Sequence, residues 1–168
     1  MLSELEPVAR LSRRSCLRAS LLASVSVAAL SGCSMFKRSA ITQIEIDLIV
    51  SAQANPDHRK RPSPVVLRLY ELKGRAQFDA LDFVTLTERD KETLGTDLVS
   101  REEIVLRPGE TRTITKKVSP DAAFLGVTAG FRNIERAQWR AVTALQGQSE
   151  TEFQIKVDAL TVTVAPKP

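Results

Sequence analysis

The chain has 168 residues, 43% hydrophobic and 26% charged, with 24 Lys and Arg against 20 Asp and Glu and a formal net charge of +4. With no basic face interleaved with aromatics, that balance excludes a nucleic-acid partner recognised by charge. One His, two Cys, no Gly-x-Ser-x-Gly and no phosphate-cradling glycine loop leave no familiar catalytic pair or His-rich metal site to assemble, so no enzyme, cofactor or small-molecule substrate is expected.

Arg10, Arg13, Arg14 and Arg18 precede an apolar run over 19–30, broken only by Ser20, Ser24 and Ser26. A basic start, about a dozen apolar residues and small residues before a cut site mark a secretory signal. The run is too short for a bilayer, which needs about 20 residues. The segment from Ser12 to Leu17 resembles a twin-arginine signal with Cys16 where Phe is usual; the same arginines also serve as an ordinary basic n-region, or the true start lies downstream of Met1.

The ending Leu30-Ser31-Gly32-Cys33 resembles a bacterial lipobox. It implies cleavage before Cys33 and acylation of that cysteine, with palmitate among the chains. Each buried CH₂ contributes about 0.8 kcal/mol and a single chain holds only marginally; three chains, usual on such a cysteine, imply permanent anchoring. Ser34, rather than Asp, then points to the outer membrane, with the domain on its periplasmic face. The organisation expected is a signal peptide over 1–32, a lipidated tether over 33–40 and one periplasmic domain over 41–168. Its only covalent addition is the lipid on Cys33. Beyond the signal remain 136 residues with 20 basic and 18 acidic side chains, enough for a core without disulfides. None is available, since Cys33 is the remaining cysteine and is blocked.

In chain order, Ile44, Ile46, Leu48 and Val50 alternate with Glu45 and Asp47, the period-two pattern of a half-buried strand. The segment 65–72 is denser in aliphatic and β-branched residues and predicts a more central strand. Strands at 104–106 and 111–118 flank Arg107-Pro108-Gly109-Glu110, where Pro and Gly suit a type II turn, predicting a hairpin. Leu125 to Phe131 and Trp139 to Leu145 alternate again. Phe153, Ile155 and Val157 share one phase and Leu160, Val162 and Val164 the other, which predicts a turn at Asp158-Ala159. Glu102 and Glu103 must face opposite sides of a strand. Trp139 is expected in the core or at the end of a sandwich, with Arg132 and Arg140 pairing with nearby acids.

The segment 78–94 breaks the alternation. Asp79 and Thr87, each three positions before an aspartate (Asp82, Asp90), predict one or two short helices, with Gly95 as the stop. The fold class is therefore mainly β: a two-sheet sandwich of about eight strands with a small helical insertion.

The connection over 51–64, SAQANPDHRKRPSP, is long for a hairpin loop. Asn55-Pro56-Asp57 starts a turn, Arg61-Pro62-Ser63-Pro64 is locally extended, and His58, Arg59, Lys60 and Arg61 lie between. On the residues alone a recognition loop and a solvated connection stand equal, and a lone His in a polar loop reads as a surface residue.

The run from Asn55-Pro56-Asp57 through Arg61-Pro62-Ser63-Pro64-Val65-Val66-Leu67-Arg68-Leu69-Tyr70-Glu71-Leu72, followed by Phe78, Asp82-Phe83 and Leu94-Gly95-Thr96-Asp97-Leu98, resembles the TssJ family, lipoproteins of type VI secretion. Pro108-Gly109, Gly126 to Arg132 and Trp139-Arg140 continue the likeness along the mature chain. The resemblance implies a transthyretin-like sandwich whose loop between its first two strands binds the periplasmic C-terminal domain of TssM, an inner-membrane component, so linking the two membranes. Carried over by position, the contacts are Asn55, Pro56, Asp57, His58, Arg59, Lys60, Arg61 and Pro62. Many members have Gly before the Arg-Pro-Ser-Pro; this chain has Lys60, implying a stiffer, more basic loop. The alternative is a periplasmic lipoprotein that binds a small ligand or chaperones a secreted protein. A deep apolar cavity between the sheets would favour it, whereas a filled core and a projecting basic loop favour docking.

Overall fold

The computed structural model describes residues 43–145 and 152–167; Cys33, the expected signal peptide over 1–32 and the expected tether over 33–40 lie outside them. Eight strands and three short helices occur among the described residues: β1 (Gln43–Val50), β2 (Val65–Leu72), α1 (Ala76–Ala80), α2 (Phe83–Glu88), α3 (Asp90–Leu94), β3 (Leu98–Leu106), β4 (Thr111–Lys117), β5 (Phe124–Gly130), β6 (Arg140–Ala144), β7 (Glu152–Val157) and β8 (Val162–Pro166). They form two four-stranded sheets, β4-β1-β7-β8 and β3-β2-β5-β6. Every pairing is antiparallel except β1 with β7.

The alternation in β1 buries Ile44, Ile46, Leu48 and Val50 against Val65, Leu67 and Leu69 of β2 and Leu125, Val127 and Ala129 of β5, filling the space between the sheets. β2 is central, between β3 and β5. Its other face is covered at one end only: Tyr70 and Leu72 lie beneath the helices with Phe78, Leu86 and Leu94, while Val66 remains exposed. Gly126 favours this packing, since a Cβ there would stand 3.0 Å from Phe78 Cζ and 3.1 Å from Leu72 Cδ1, and both side chains would have to give way.

The turn over 107–110 forms as predicted, with Glu110 N–H donating to Arg107 O at 3.0 Å and Gly109 at φ +79°. The strands it joins do not pair with each other. β3 pairs with β2 and β4 with β1, so the turn carries the chain from one sheet to the other, an arch in place of the expected hairpin. A turn motif sets only the local reversal; the pairing follows from which faces are buried. Here Ile114 lies opposite Ile46 and packs into the core.

The helix starts also differ. Asp82 is the N-cap of α2, accepting from Thr85 N–H at 3.0 Å. Asp79 lies inside α1, paired with Arg75, and Thr87 lies inside α2, its hydroxyl donating to Phe83 O at 2.7 Å. The expected spacing is present, but Asp82 caps the next helix rather than closing a box, and Asp90 lies inside α3 with its carboxylate on Arg101. Gly95, at φ +52°, ends α3.

Trp139 packs against both clusters at the sandwich end and meets Phe83 edge-on at 5.2 Å. Among the described residues Arg140 pairs with no acid: its Nη1 donates to Phe78 O at 3.1 Å and Leu81 O at 2.7 Å, carbonyls left open where α1 ends, and its guanidinium lies over Trp139. Arg132 is exposed and among the described residues has no acidic partner for its side chain. Glu102 and Glu103 point apart, to Lys116 and Arg68. Asp158 N–H donates to Thr161 O in the β7–β8 turn, and Gln138 bridges to Thr161, joining the two sheets along that edge.

Candidate functional site

The 51–64 loop leaves one sheet at Val50 and enters the other at Val65, so it crosses the end of the sandwich. Its neck is closed by backbone bonds from Ala54 N–H to Ser51 O (3.0 Å) and Ser63 N–H to Ala54 O (3.1 Å), with Ala54 in the core. The Arg107–Glu110 turn braces it, Gly109 N–H donating to Ser51 O at 3.2 Å.

Asn55 is 2% exposed, and its backbone N–H and both ends of its side-chain amide are hydrogen-bonded. Its N–H donates to Ala159 O (3.0 Å), its Nδ2 to Pro64 O (2.6 Å), and its Oδ1 accepts from Arg132 N–H (2.7 Å). The loop base and the segments at Ala159 and Arg132 are thereby tied at one residue, two of the three bonds through its side chain. Its φ of +49° is a left-handed conformation that Asn tolerates better than most residues. Asn55 therefore fixes the loop from within rather than presenting a contact at its surface.

Asp57 organises the tip. Its Oδ1 accepts from Arg59 N–H (2.8 Å) and Arg61 N–H (2.9 Å), and its Oδ2 meets the Arg61 guanidinium, with Nη2 at 2.7 Å. The backbone closes the same ring through Asp57 N–H to Arg61 O and Lys60 N–H to Asp57 O. The Arg61 backbone bond, foremost, and the Arg61 side chain hold the Asp57 carboxyl down at about 2, against the burial that opposes them. The Asp57 side chain is only 10% exposed. What the tip presents to solvent is His58, Arg59, Lys60, Arg61 and Pro62. Of these cations Arg61 is already paired, whereas Arg59 and Lys60 have no acidic partner among the described residues.

Lys60 has φ +62°. The position that glycine fills in the resembling family thus requires a left-handed backbone, and this chain places a side chain there at a cost of roughly 1 kcal/mol. The added stiffness expected of Lys60 comes with local strain.

Beside the tip, Pro56, Asp57 and His58 form one wall of an open groove of about 500 Å³, with Arg132, Ile134 and Glu135 on the other. The second wall belongs to the β5–β6 connection, whose Ile134–Arg136 form one 3-10 turn. Sequence reasoning did not place these residues beside the loop. The only local signal was Asn55, a polar residue whose partners lie 9 and 77 positions away.

What converges at the tip is a carboxylate held by backbone N–H groups with exposed cations around it, the chemistry of recognition. Among the described residues no cluster of His, Cys, Asp or Glu is arranged to hold a metal ion. The displaced carboxylates, Asp47, Asp57, Glu71, Asp82 and Glu92, are all displaced downward, opposite to what a general acid at neutral pH needs. A second groove of about 340 Å³ lies between α2 and the outer face of β2 and β5. Its Arg68 is already bonded to Glu103 and to Thr87 O, and the space between the sheets is filled.

The sequence over residues 42–160 matches the family model T6SS-SciN, described as type VI secretion lipoprotein, VasD, EvfM, TssJ. Among solved structures, the chain is similar to the type VI secretion lipoprotein TssJ1 from Pseudomonas aeruginosa, with 35% identity and TM-score 0.72 over 76% of this chain and 97% of that one. It is similar to a chain of a structure described as the type VI membrane complex, with 28% identity and TM-score 0.68 over 75% and 99%. A chain of the structure described as the TssM C-terminal domain from EAEC matches with 25% identity and TM-score 0.64 over 76% and 100%. No curated protein matches.

Proposed function

The chain belongs to the TssJ family of type VI secretion lipoproteins, structural proteins of that system and not enzymes, and from that premise we propose that it docks the periplasmic C-terminal domain of TssM through its 51–64 loop. Acylation of Cys33 holds the domain at the periplasmic face of the outer membrane. TssM belongs to the inner membrane, so the contact links the two membranes. The likeness to chains of structures described as the type VI membrane complex and the TssM C-terminal domain supports this partner.

The observation that carries the reading is the state of the loop without its partner. Asp57 closes the tip into a ring, Asn55 straps its base, and Arg59 and Lys60 project with no acidic partner among the described residues. A loop already held in shape loses little entropy on docking. Unpaired exposed cations favour a partner with an acidic surface and speed its encounter. Pro56, His58, Arg61 and Pro62 complete the contact, with Asn55 and Asp57 positioning them.

Cell fractionation of a Cys33→Ser variant, together with capture of the TssM domain by the purified variant, tests the two halves separately. The variant should leave the outer membrane and still capture TssM. Retention in the outer membrane would remove the anchor assignment, and loss of capture by a folded variant would remove docking of TssM by the unlipidated domain.

A further inference from the structure

Resting on the docking role of the loop, we propose that the turn around Arg132 and Ile134 is the second wall of the same docking surface, and that the groove between the walls seats a partner segment bearing an acidic side chain beside an apolar one. The groove of about 500 Å³ runs between Pro56 and His58 on one side and Arg132, Ile134 and Glu135 on the other.

Charge identifies the occupant. The Arg132 and Arg136 side chains, like those of Arg59 and Lys60, have no acidic partner among the described residues. The two acids beside them are Asp57, committed to Arg61, and Glu135. Arg132 thus stands on one wall, Arg59 and Lys60 directly follow His58 of the other at the exposed tip, and all three lack a counter-charge that an incoming carboxylate would supply. Ile134 packs partly against the core while lining the groove, and Pro56 faces it, so the groove also offers apolar surface.

The walls are fixed relative to each other by Asn55, whose side chain joins Pro64 at the base of the loop to the Arg132 backbone. A segment entering the groove therefore meets a preformed width, and gripping both walls costs no rearrangement of either.

The experiment measures binding of the mature chain, from Cys33 onward in detergent, to the TssM C-terminal domain. The variants are Arg59→Glu, Arg132→Glu, Arg132→Lys and Glu135→Lys, each with its melting temperature. The strap uses the backbone of Arg132, so these exchanges leave it in place. Arg132→Glu should weaken binding at least about fivefold, Arg132→Lys should restore it, and Glu135→Lys should tighten it. Loss with Arg59→Glu alone, Arg132→Glu binding normally, overturns the second wall and leaves loop docking standing. Normal binding by both reversals overturns loop docking too. Weakening by Glu135→Lys as large as that by Arg132→Glu overturns the acidic occupant.

Discussion

Arg132 donates its backbone N–H to Asn55 Oδ1 at 2.7 Å across 77 positions of sequence, and the same Asn55 side chain holds Pro64 O at 2.6 Å. This single buried amide sets the base of the loop, the entry to β2 and the turn after β5 in one frame. Asn55→Ala leaves the part-buried Arg132 N–H and Pro64 carbonyl without this partner and puts Ala at a positive φ. It should cost about 2–4 kcal/mol in urea unfolding. Asn55→Asp keeps the acceptor for Arg132 and should cost less. Equal losses for the two would show that the bond to Arg132 contributes nothing.

Lys60, at φ +62°, separates stability from recognition. Lys60→Gly relieves the left-handed strain and should leave stability unchanged or raise it by up to about 1 kcal/mol, while removing a projecting charge and weakening TssM binding. Lys60→Ala should weaken binding equally without the gain. A glycine variant less stable than the alanine variant would contradict the strain.

Glu71, 3% exposed, faces the other sheet. It accepts from Ser119 N–H (2.9 Å) and Ser100 Oγ (2.7 Å) and pairs with Lys116 of β4 at 3.1 Å. Burial pushes the Glu71 carboxyl up, but the bonds from Ser119, Ser100 and Lys116 together outweigh it and hold it below 4.5. Its contribution is therefore full above 4.5 and is lost as pH falls through the lowered value. Burial likewise pulls Lys116 down, while Glu71 and Glu102 raise it above 10.5, so its contribution is lost as pH rises through that raised value. Glu71→Gln should cost about 3 kcal/mol at neutral pH, since it leaves Lys116 half-paired, and should flatten the acid limb of the stability profile. An unchanged acid limb would remove Glu71 from it.

The Asp57 carboxyl, lowered from 3.8 to about 2, ties loop order to pH. The ring it holds is complete above 3.8 and opens as pH falls through about 2. Amide exchange at Arg59 and Arg61 should quicken across that window in the parent. In Asp57→Asn the protection, exchange compared with the intrinsic rate at each pH, should be low and flat, and parent-like protection in that variant would contradict the ring.

The strands were largely legible, because inward residues such as Ile44, Ile46 and Leu48 alternate over long enough runs to reveal their period. The arch at Pro108-Gly109 was not: turn chemistry is local, whereas the choice of β1 as partner for β4 is settled by packing between distant segments. For the same reason Asn55 looked like a surface turn residue, since its partners at Ala159 and Arg132 come from the other end of the chain. The basic tip was legible as a patch. Which cations are free was not, because the pairing of Arg61 with Asp57 depends on the ring that those residues close.

The central claim rests on Arg59 and Lys60, the cations of the loop tip that Asp57 does not occupy. The most direct test is calorimetric titration of the TssM C-terminal domain into the mature chain and into its Arg59→Ala, Lys60→Ala double variant at low salt. Affinity should fall at least about tenfold, with the melting temperature within a few degrees of the parent, since exposed substitutions shift stability by only about 0.5 kcal/mol. Equal affinity for both proteins would contradict docking through this loop.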